Sequence, residues 1–451
     1  MKIPDSLIEK YNVPVPRYTS YPTVPFWKDN LSQVDWNSMV KRTFAETNSA
    51  DGISIYIHLP FCESLCTYCA CNTRITKNHS VEGPYIDSLL REWEQYLDVF
   101  EGVPKIRELH LGGGTPTFFS SSNLKRLLKG ILAKAKLHPN YSFSFEGHPN
   151  NTTADHLKQL FDLGFKRVSY GVQDLDYKVQ KTINRIQPFE NVRRATDSAR
   201  AIGYESVNFD LVYGLPFQQV DSVKNTVLKV LDLKPERIAF YSYAHVPWKH
   251  PSQRAYTERD LPSSHIKREL YEVGKKLLVD AEYTDVGMDH FALKGDGLYT
   301  AYQNKTMHRN FMGYTEAQTD LLIGLGASAI SDAKYGYAQN LKKVEDYNRQ
   351  VGLGSLPIFK GHQVENDEIS IRDKIVALAC RGELRWEAGE LDLNQLIKLT
   401  EMDEEGLIKL YDNGLRITAL GMAFLRNICA VFDVTIREQH ALNTPVFSKA
   451  I

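Results

Sequence analysis

The sequence has no long apolar run. Nothing in it approaches the ~18 consecutive apolar residues of a membrane-spanning helix. Its opening stretch, MKIPDSLIEKYNVPVPR, lacks the apolar centre of a secretory signal. It has no excess of one charge: 54 Lys and Arg stand against 55 Asp and Glu. That balance argues against a nucleic-acid partner and a membrane-surface partner. It has no low-complexity segment and no sustained repeat. Cysteine is scarce, with six in all, yet Cys62, Cys66, Cys69 and Cys71 fall close together. Clustered thiols without a secretory signal suit a reducing cytoplasm, where they stay available to metal rather than forming disulfides.

What is present is ordinary in bulk: 451 residues, 43% hydrophobic and 24% charged, enough for two or three domains. The chemistry sits in residues 54–77, SIYIHLPFCESLCTYCACNTRITK. Ser54 to His58 alternates as a strand does. The cysteines follow on the loop leaving that strand's C-terminal end. Their C-x3-C-x2-C spacing lets three thiolates hold three irons of a 4Fe-4S cluster, whose ligands are normally four cysteines. Three ligands leave one iron open to a substrate or cofactor. A structural zinc would need Cys71 as fourth ligand, and C-x-C beside C-x2-C is cramped for a tetrahedron. Cys380 and Cys429 lie in apolar, helix-patterned surroundings and read as buried core.

Residues 1–50 are expected to form an N-terminal arm. Its segment 14–23, PVPRYTSYPT, cannot continue a helix and should lie extended. It is a surface strap, or a lid whose Arg17 meets an anion. Strands are then expected at Ser54–His58, Ile106–Leu111, Tyr141–Phe145, Arg167–Val172, Val207–Val212 and Arg237–Tyr243. Helices alternate with them near Tyr85–Phe100, Asn123–Leu137, Ala154–Leu163, between Lys178 and Ala201, and at Val220–Leu233. Six such units give an α/β fold with a parallel sheet and right-handed crossovers. Without an early Gly-rich dinucleotide fingerprint they suit a partial (β/α)6 TIM-type barrel better than an open doubly wound sheet. The barrel and its extension should span 51–356. A helical C-terminal domain is expected over 357–451, with helices at Leu393–Glu401, Glu404–Asn413 and Ile417–Val431.

Polar and glycine-rich features fall at the C-terminal ends of successive strands, the face that carries the active site in α/β barrels. Gly112-Gly113-Gly114 lets backbone approach a ligand and offers N–H groups to a carboxylate; a plain tight turn would use the same glycines. Tyr56 and Tyr68 flank the cysteines and offer faces to an adenine ring, or pack in the core. Glu146 ends the third strand and can accept from an ammonium or a ribose hydroxyl, or pair within the barrel. Gln173, Arg185 and Asp210 are polar groups on later units. Asp210 needs a partner if buried, with Arg185 or a ligand as candidates. His245, His290 and His308 are unassigned.

Together these residues resemble the oxygen-independent coproporphyrinogen III oxidase family of radical S-adenosylmethionine enzymes. The resemblance runs from PRYTSYPT at 16–23 to RNICAVFD at 426–433. Between them lie the cysteine motif, GGGTPT, GVQD at 171–174, NFDLVYGLP at 208–216, YAH at 243–245, GMDHFA at 287–292 and HRNF at 308–311. It implies a 4Fe-4S cluster on Cys62, Cys66 and Cys69, with Cys71 not a ligand. It implies two S-adenosylmethionine molecules. The first would meet Tyr56, Gly113, Glu146 and Ile330. The second would meet Tyr68, Gly114, Thr115, Gln173, Arg185, Asp210 and Ala244. The implied reaction makes a 5′-deoxyadenosyl radical, which takes a hydrogen from the β-carbon of a propionate. Loss of an electron and of carbon dioxide leaves a vinyl group. Two rounds turn coproporphyrinogen III into protoporphyrinogen IX. Tyr56, Glu146, Arg309 and Met312 are the implied catalytic contacts, and Arg17 and Arg309 are clamps for the propionates. A monomer served by flavodoxin or ferredoxin, with a tetrapyrrole substrate, is the expectation.

Some positions depart from the family. Met312 stands where Gln is expected, Gly147-His148-Pro149-Asn150 replaces Val-Asp-Pro-Arg, and Ala70 replaces Gly. A haem chaperone on the same scaffold would lack the fourth cysteine and the arm, and would carry an HN-x2-YW motif. Another radical enzyme acting on a tetrapyrrole would differ in product. A simple iron–sulfur electron carrier would need no barrel.

Overall fold

A computed structural model describes residues 3–27, 31–439 and 447. Six parallel strands organise it: β1 (Ile53–Leu59), β2 (Lys105–Gly113), β3 (Lys136–Gly147), β4 (Phe165–Gln173), β5 (Ser206–Tyr213) and β6 (Arg237–Ser242). They pair in that order. Each strand has two unlike faces. Ile55 and Ile57, Leu109 and Leu111, Phe143 and Phe145, Val168, Phe209 and Ile238 are buried in one hydrophobic cluster with the outer helices. The alternate positions are polar: Glu108 and His110, Ser144 and Glu146, Arg167 and Ser169, Asn208 and Asp210 all line one cavity. A period of two therefore sets the polar site positions apart from the main core positions along β2 to β6. Because strands β2 to β6 border a single cavity, the sheet curves around it.

The intervening helices cover the outside. Their starts are fixed chemically: Ser120, Thr153 and Asp176 each accept a backbone N–H of the first turn. Beyond β1 the sheet continues with Leu322–Leu325 in parallel, then Ile330–Asp332, Gly336–Asn340 and Ile358–Gln363 antiparallel. Beyond β6 it ends with His290–Ala292 and Thr284–Gly287, also antiparallel. The twelve strands form one sheet whose two edges stay unjoined. This is the partial α/β barrel that the strand count suggests.

Three expected elements differ. The helix expected to reach Leu137 stops at Leu132, because β3 starts at Lys136, whose N–H bonds the Pro104 carbonyl. The helix expected at Glu404–Asn413 is instead a strand, Ile408–Tyr411, turned back onto Gly414–Ile417. Asn413, at φ 54° just before Gly414, is a hairpin turn signal that outweighs the amphipathic spacing. Ile417–Val431 is not one helix. Its strand ends at Ile417, and helix resumes only over Leu425–Ala430. Between them Gly421 passes so close to the Leu407 carbonyl that a Cβ would overlap it. The arm carries two helices that sequence reading did not place, Asp5–Tyr11 and Gln33–Thr47.

A second hydrophobic cluster joins the two ends of the chain. Leu7, Ile8, Tyr11, Val15 and Tyr18 pack with Leu378, Leu399, Leu415, Leu425 and Ile428. The strap between residues 11 and 18 is gripped by its backbone carbonyls. Asn427 donates to Tyr11 at 2.9 Å, and Arg426 donates to Val15 and Pro16. Arg309 donates to Arg17 and Tyr18 at 3.3 Å each.

Candidate active site

The cysteines leave β1 on a loop that is tied at its base. Arg74 and Thr76 donate to the Pro60 and Cys62 carbonyls at 2.8 and 2.9 Å. The far side of the loop is pinned to the segment after β4: Thr67 N–H bonds the Ile183 carbonyl, and Asn184 bonds that of Leu65. Gly114 and Thr115 N–H groups bond the Leu59 and Phe61 carbonyls, so the glycine turn is laced to the cysteine loop. A Cβ on Gly114 would stand 2.6 Å from the Pro60 oxygen and 3.0 Å from the Cys62 sulfur. Only glycine allows that approach.

Cys62, Cys66 and Cys69 border one end of a cavity of about 910 Å³. Donors face the sulfurs. The Thr115 hydroxyl lies 3.3 Å from Cys62 Sγ, and the Arg185 guanidinium 3.6 Å from Cys66 Sγ. Burial pushes the Cys62 thiol up to about 11. A hydrogen bond with Cys71 holds Cys69 down to about 7, which favours its thiolate. Among the described residues no three His, Cys, Asp or Glu converge on one point as a single metal ion needs. In a cubane each thiolate takes its own iron. Three separated sulfurs with a cation and a hydroxyl directed at them fit a 4Fe-4S cluster better than zinc.

The glycine turn faces Glu146. Gly113, at φ 115°, donates its N–H to Glu146 Oε2 at 3.3 Å, and His110 Nε2 lies 3.4 Å from Oε1. Burial works to raise this carboxyl, but His110 and the Gly113 N–H overcome it and leave it below the usual range. Tyr56 stacks on His110 and bonds His58 Nδ1 through its hydroxyl. His58 Nε2 in turn donates to the Asn72 carbonyl at 2.8 Å, so Nδ1 is the acceptor. Among the described residues Asp210 forms an ion pair with neither Arg185 nor another Lys or Arg. It accepts from Ser169 at 2.8 Å and Asn208 at 2.9 Å, and burial raises it to about 6. Arg185 is spent on the Gly171 carbonyl and Cys66, with its Nε buried and unpartnered.

Tyr68, Gly113, Gly114, Thr115, Glu146, Gln173, Arg185, Asp210, Ala244, Arg309 and Met312 all border the same cavity as the cysteines. Tyr56 and Ile330 lie behind its wall. Tyr56 closes on Gly112, and Ile330 packs toward Trp27 and Tyr337. Met312 sits in the turn between His308–Asn310 and Gly313–Thr315, its N–H held by Asn310. His290 reaches the cavity and is fixed as a neutral ring, pushed down to about 4 by burial, with Nδ1–H on the Met288 carbonyl. His245 bonds the Tyr243 hydroxyl. His308 lies outside the lining. Cys380 and Cys429 are buried, as expected. Sequence reading missed His58, His110, Ser144, Ser169 and Tyr241. The alternation that marks the strands puts each of them on the inward face.

Comparison with known proteins fits this geometry. The Radical SAM superfamily profile matches residues 56–230. Oxygen-independent coproporphyrinogen III oxidase from Pseudomonas aeruginosa is 37% identical over 99% of this chain and 98% of its own. The Escherichia coli protein of that name is 35% identical with the same coverage. The solved structure of Escherichia coli coproporphyrinogen III oxidase, titled a radical SAM enzyme, superposes with a TM-score of 0.90 at 32% identity, covering 96% of this chain and 99% of that one. With identity at this level over essentially its whole length, the chain belongs to the oxygen-independent coproporphyrinogen III oxidase family of the radical SAM superfamily.

Proposed function

We propose that this enzyme carries out the oxygen-independent oxidative decarboxylation of two propionates of coproporphyrinogen III, giving protoporphyrinogen IX. The observation that carries the reading is the single cavity that joins three cysteines, a glycine turn and a ring of polar strand residues. A 4Fe-4S cluster with S-adenosylmethionine on its open iron would supply a reductively generated, hydrogen-abstracting radical there. Cys62, Cys66 and Cys69 would hold the cluster. Arg185 and Thr115 stabilise charge on the sulfurs, since donors and cations near thiolates tune such a site. Gly113 N–H and Glu146 present a donor and an acceptor 3.3 Å apart, suited to an amino acid's carboxylate and ammonium ends. Asp210, Gln173 and Ala244 border the same cavity, and we assign them to a second S-adenosylmethionine. Tyr56 orients His58 and His110 and sets the wall behind Glu146. Met312 borders the reacting volume and excludes water from it.

Arg309 has two N–H groups on the strap and one nitrogen, Nη1, buried without a partner. We assign that nitrogen to a substrate propionate. Residues 51–356 would form the catalytic unit, with 1–50 and 357–451 closing one side. Six unpaired thiols suit a reducing cytoplasm and a low-potential donor of the flavodoxin or ferredoxin type. No helix among the described residues is long and apolar enough to cross a membrane. The expected form is a monomer. Anaerobic turnover tests the reading: coproporphyrinogen III, S-adenosylmethionine and a low-potential reductant should yield two successive losses of carbon dioxide with 5′-deoxyadenosine. Formation of 5′-deoxyadenosine without a decarboxylated tetrapyrrole would reject the substrate.

A further inference from the structure

Behind Arg17 lies a second, smaller cavity of about 200 Å³, bordered by β5 and β6, the helix Ser264–Asp280, the strap and the C-terminal segment 419–426. It shares Arg17 and Ser242 with the large cavity, so the two meet at that residue pair. Its charge is lopsided. Arg17 is neutralised by Asp289 at 2.7 Å, Arg268 by Glu272, and Lys275 by Asp285 at 2.6 Å. Lys267 remains as added positive charge. Among the described residues no carboxylate pairs with Lys267. Its ammonium donates to the Tyr243 carbonyl at 2.9 Å, which leaves it two further donors.

Lys267 is placed by design of the backbone. Gly214 lies against its stem: a Cβ there would meet Lys267 Cε at 2.8 Å and Cδ at 3.1 Å. A half-buried ammonium whose nearest carboxylate, Asp289, is already committed to Arg17 is costly unless something anionic joins it.

The large cavity makes the need for such a charge explicit. Coproporphyrinogen III carries four propionates, and only one reacts at a time. The cations of the large cavity are already engaged. Arg167 and Arg237 pair with Glu316, Arg185 holds Cys66 and Gly171, and Arg17 holds Asp289. Glu108, Glu146 and Asp210 add negative charge to the same lining. Among the described residues three guanidinium nitrogens of that lining keep a free N–H, Arg309 Nη1, Arg185 Nε and Arg167 Nε; Arg185 already serves the Cys66 sulfur and Arg167 is paired with Glu316, so little uncommitted positive charge faces a tetra-anion.

We infer that the cavity behind Arg17 is a carboxylate receptor, with Lys267 as its ion partner, that takes a propionate of the tetrapyrrole not then undergoing reaction. The inference rests on the proposed substrate. It makes Lys267 a residue that sets how the macrocycle is seated, and so which propionate meets the radical.

Equilibrium binding of coproporphyrin III, the oxidised and unreactive tetracarboxylate, tests this by fluorescence on the cluster-reconstituted, full-length protein. Lys267→Met should weaken binding roughly 10-fold or more, the scale of one charged hydrogen bond. Lys267→Arg should recover most of it. The tetramethyl ester, which has no carboxylates, should bind wild type and Lys267→Met alike. Equal binding of coproporphyrin III by wild type and Lys267→Met would overturn the receptor. Equal weakening for the ester would also overturn it, by showing a packing defect. Failure of the wild type to bind coproporphyrin III at all would instead reject the substrate assignment. Competition separates sources: millimolar propionate that displaces nothing supports a tethered carboxylate, whereas displacement below coproporphyrin saturation assigns the cavity to free small carboxylates and overturns the seating role.

Discussion

Replacing Gly114 with Ala exchanges one hydrogen for a methyl group, yet the site should feel it strongly. The new Cβ would lie 2.6 Å from the Pro60 oxygen, 2.7 Å from the Pro60 carbonyl carbon and 3.0 Å from Cys62 Sγ. The first two are backbone atoms, so no rotamer change relieves them. The chain has to move at Pro60–Cys62, where the Leu59 and Phe61 carbonyls are also bonded to Gly114 and Thr115. Overpacking of this kind costs about 1–3 kcal/mol. The shift falls on the first cysteine and not on the hydrophobic core. Iron and sulfide per chain after anaerobic reconstitution should therefore drop by more than half, while denaturation in urea loses about 2 kcal/mol. Gly83→Ala is the internal control. It lies in the helix Glu82–Val99, a Cβ there meets nothing within 4 Å, and helix propensity favours the change by roughly 0.5–1 kcal/mol. Full cluster content in Gly114→Ala, with a urea midpoint equal to wild type, would refute the argument.

Other tests address single interactions. Cys69→Ser should abolish cluster loading while Cys71→Ser retains it, read from iron content and the visible absorbance. Arg185→Gln removes the cation beside Cys66 Sγ and should lower the cluster's reduction potential, measured by anaerobic titration. Arg309→Ala strips two donors from the strap carbonyls and should raise protease cleavage between residues 11 and 23, while Arg309→Lys restores only part of the protection. Glu92 is fully buried and raised to about 7 by that burial, against the pull of Tyr347, Gly326 and Asn340. Its folded pKa exceeds its unfolded one, so the folded state holds the proton longer. Stability should fall by on the order of 3 kcal/mol as pH rises from about 4.5 to about 7, and Glu92→Gln should flatten that slope.

Much of this was readable from residue order. The barrel strands announce themselves by period-two burial, and the cysteine spacing, the triple glycine and Glu146 fall at strand ends as a barrel face requires. Single-sequence reading failed where tertiary contact overrules local pattern. Glu404–Asn413 has helical spacing, but Asn413-Gly414 folds it into a hairpin. Asp210 invites Arg185 as its partner. Its same-face neighbours, Asn208 on β5 and Ser169 on the adjoining β4, bond it instead. Arg309 reads as a substrate clamp, and most of its nitrogens turn out to hold the strap. No spacing rule tells which backbone carbonyls come from 290 residues away.

The shared cluster of the two chain ends also dictates timing. Tyr11 and Val15 are synthesised first, yet their partners Asn427 and Arg426 follow 416 and 411 residues later. Contacts of such long sequence separation form slowly and late. On the ribosome the βα units can assemble as they emerge, leaving the cysteine loop uncovered for iron delivery. Only after Arg426 and Asn427 have emerged can the strap be held in place beside the cavity that Arg17 and Thr19 line. Maturation of the cluster thus has a natural window, which closes once Arg426 and Asn427 take hold of the strap.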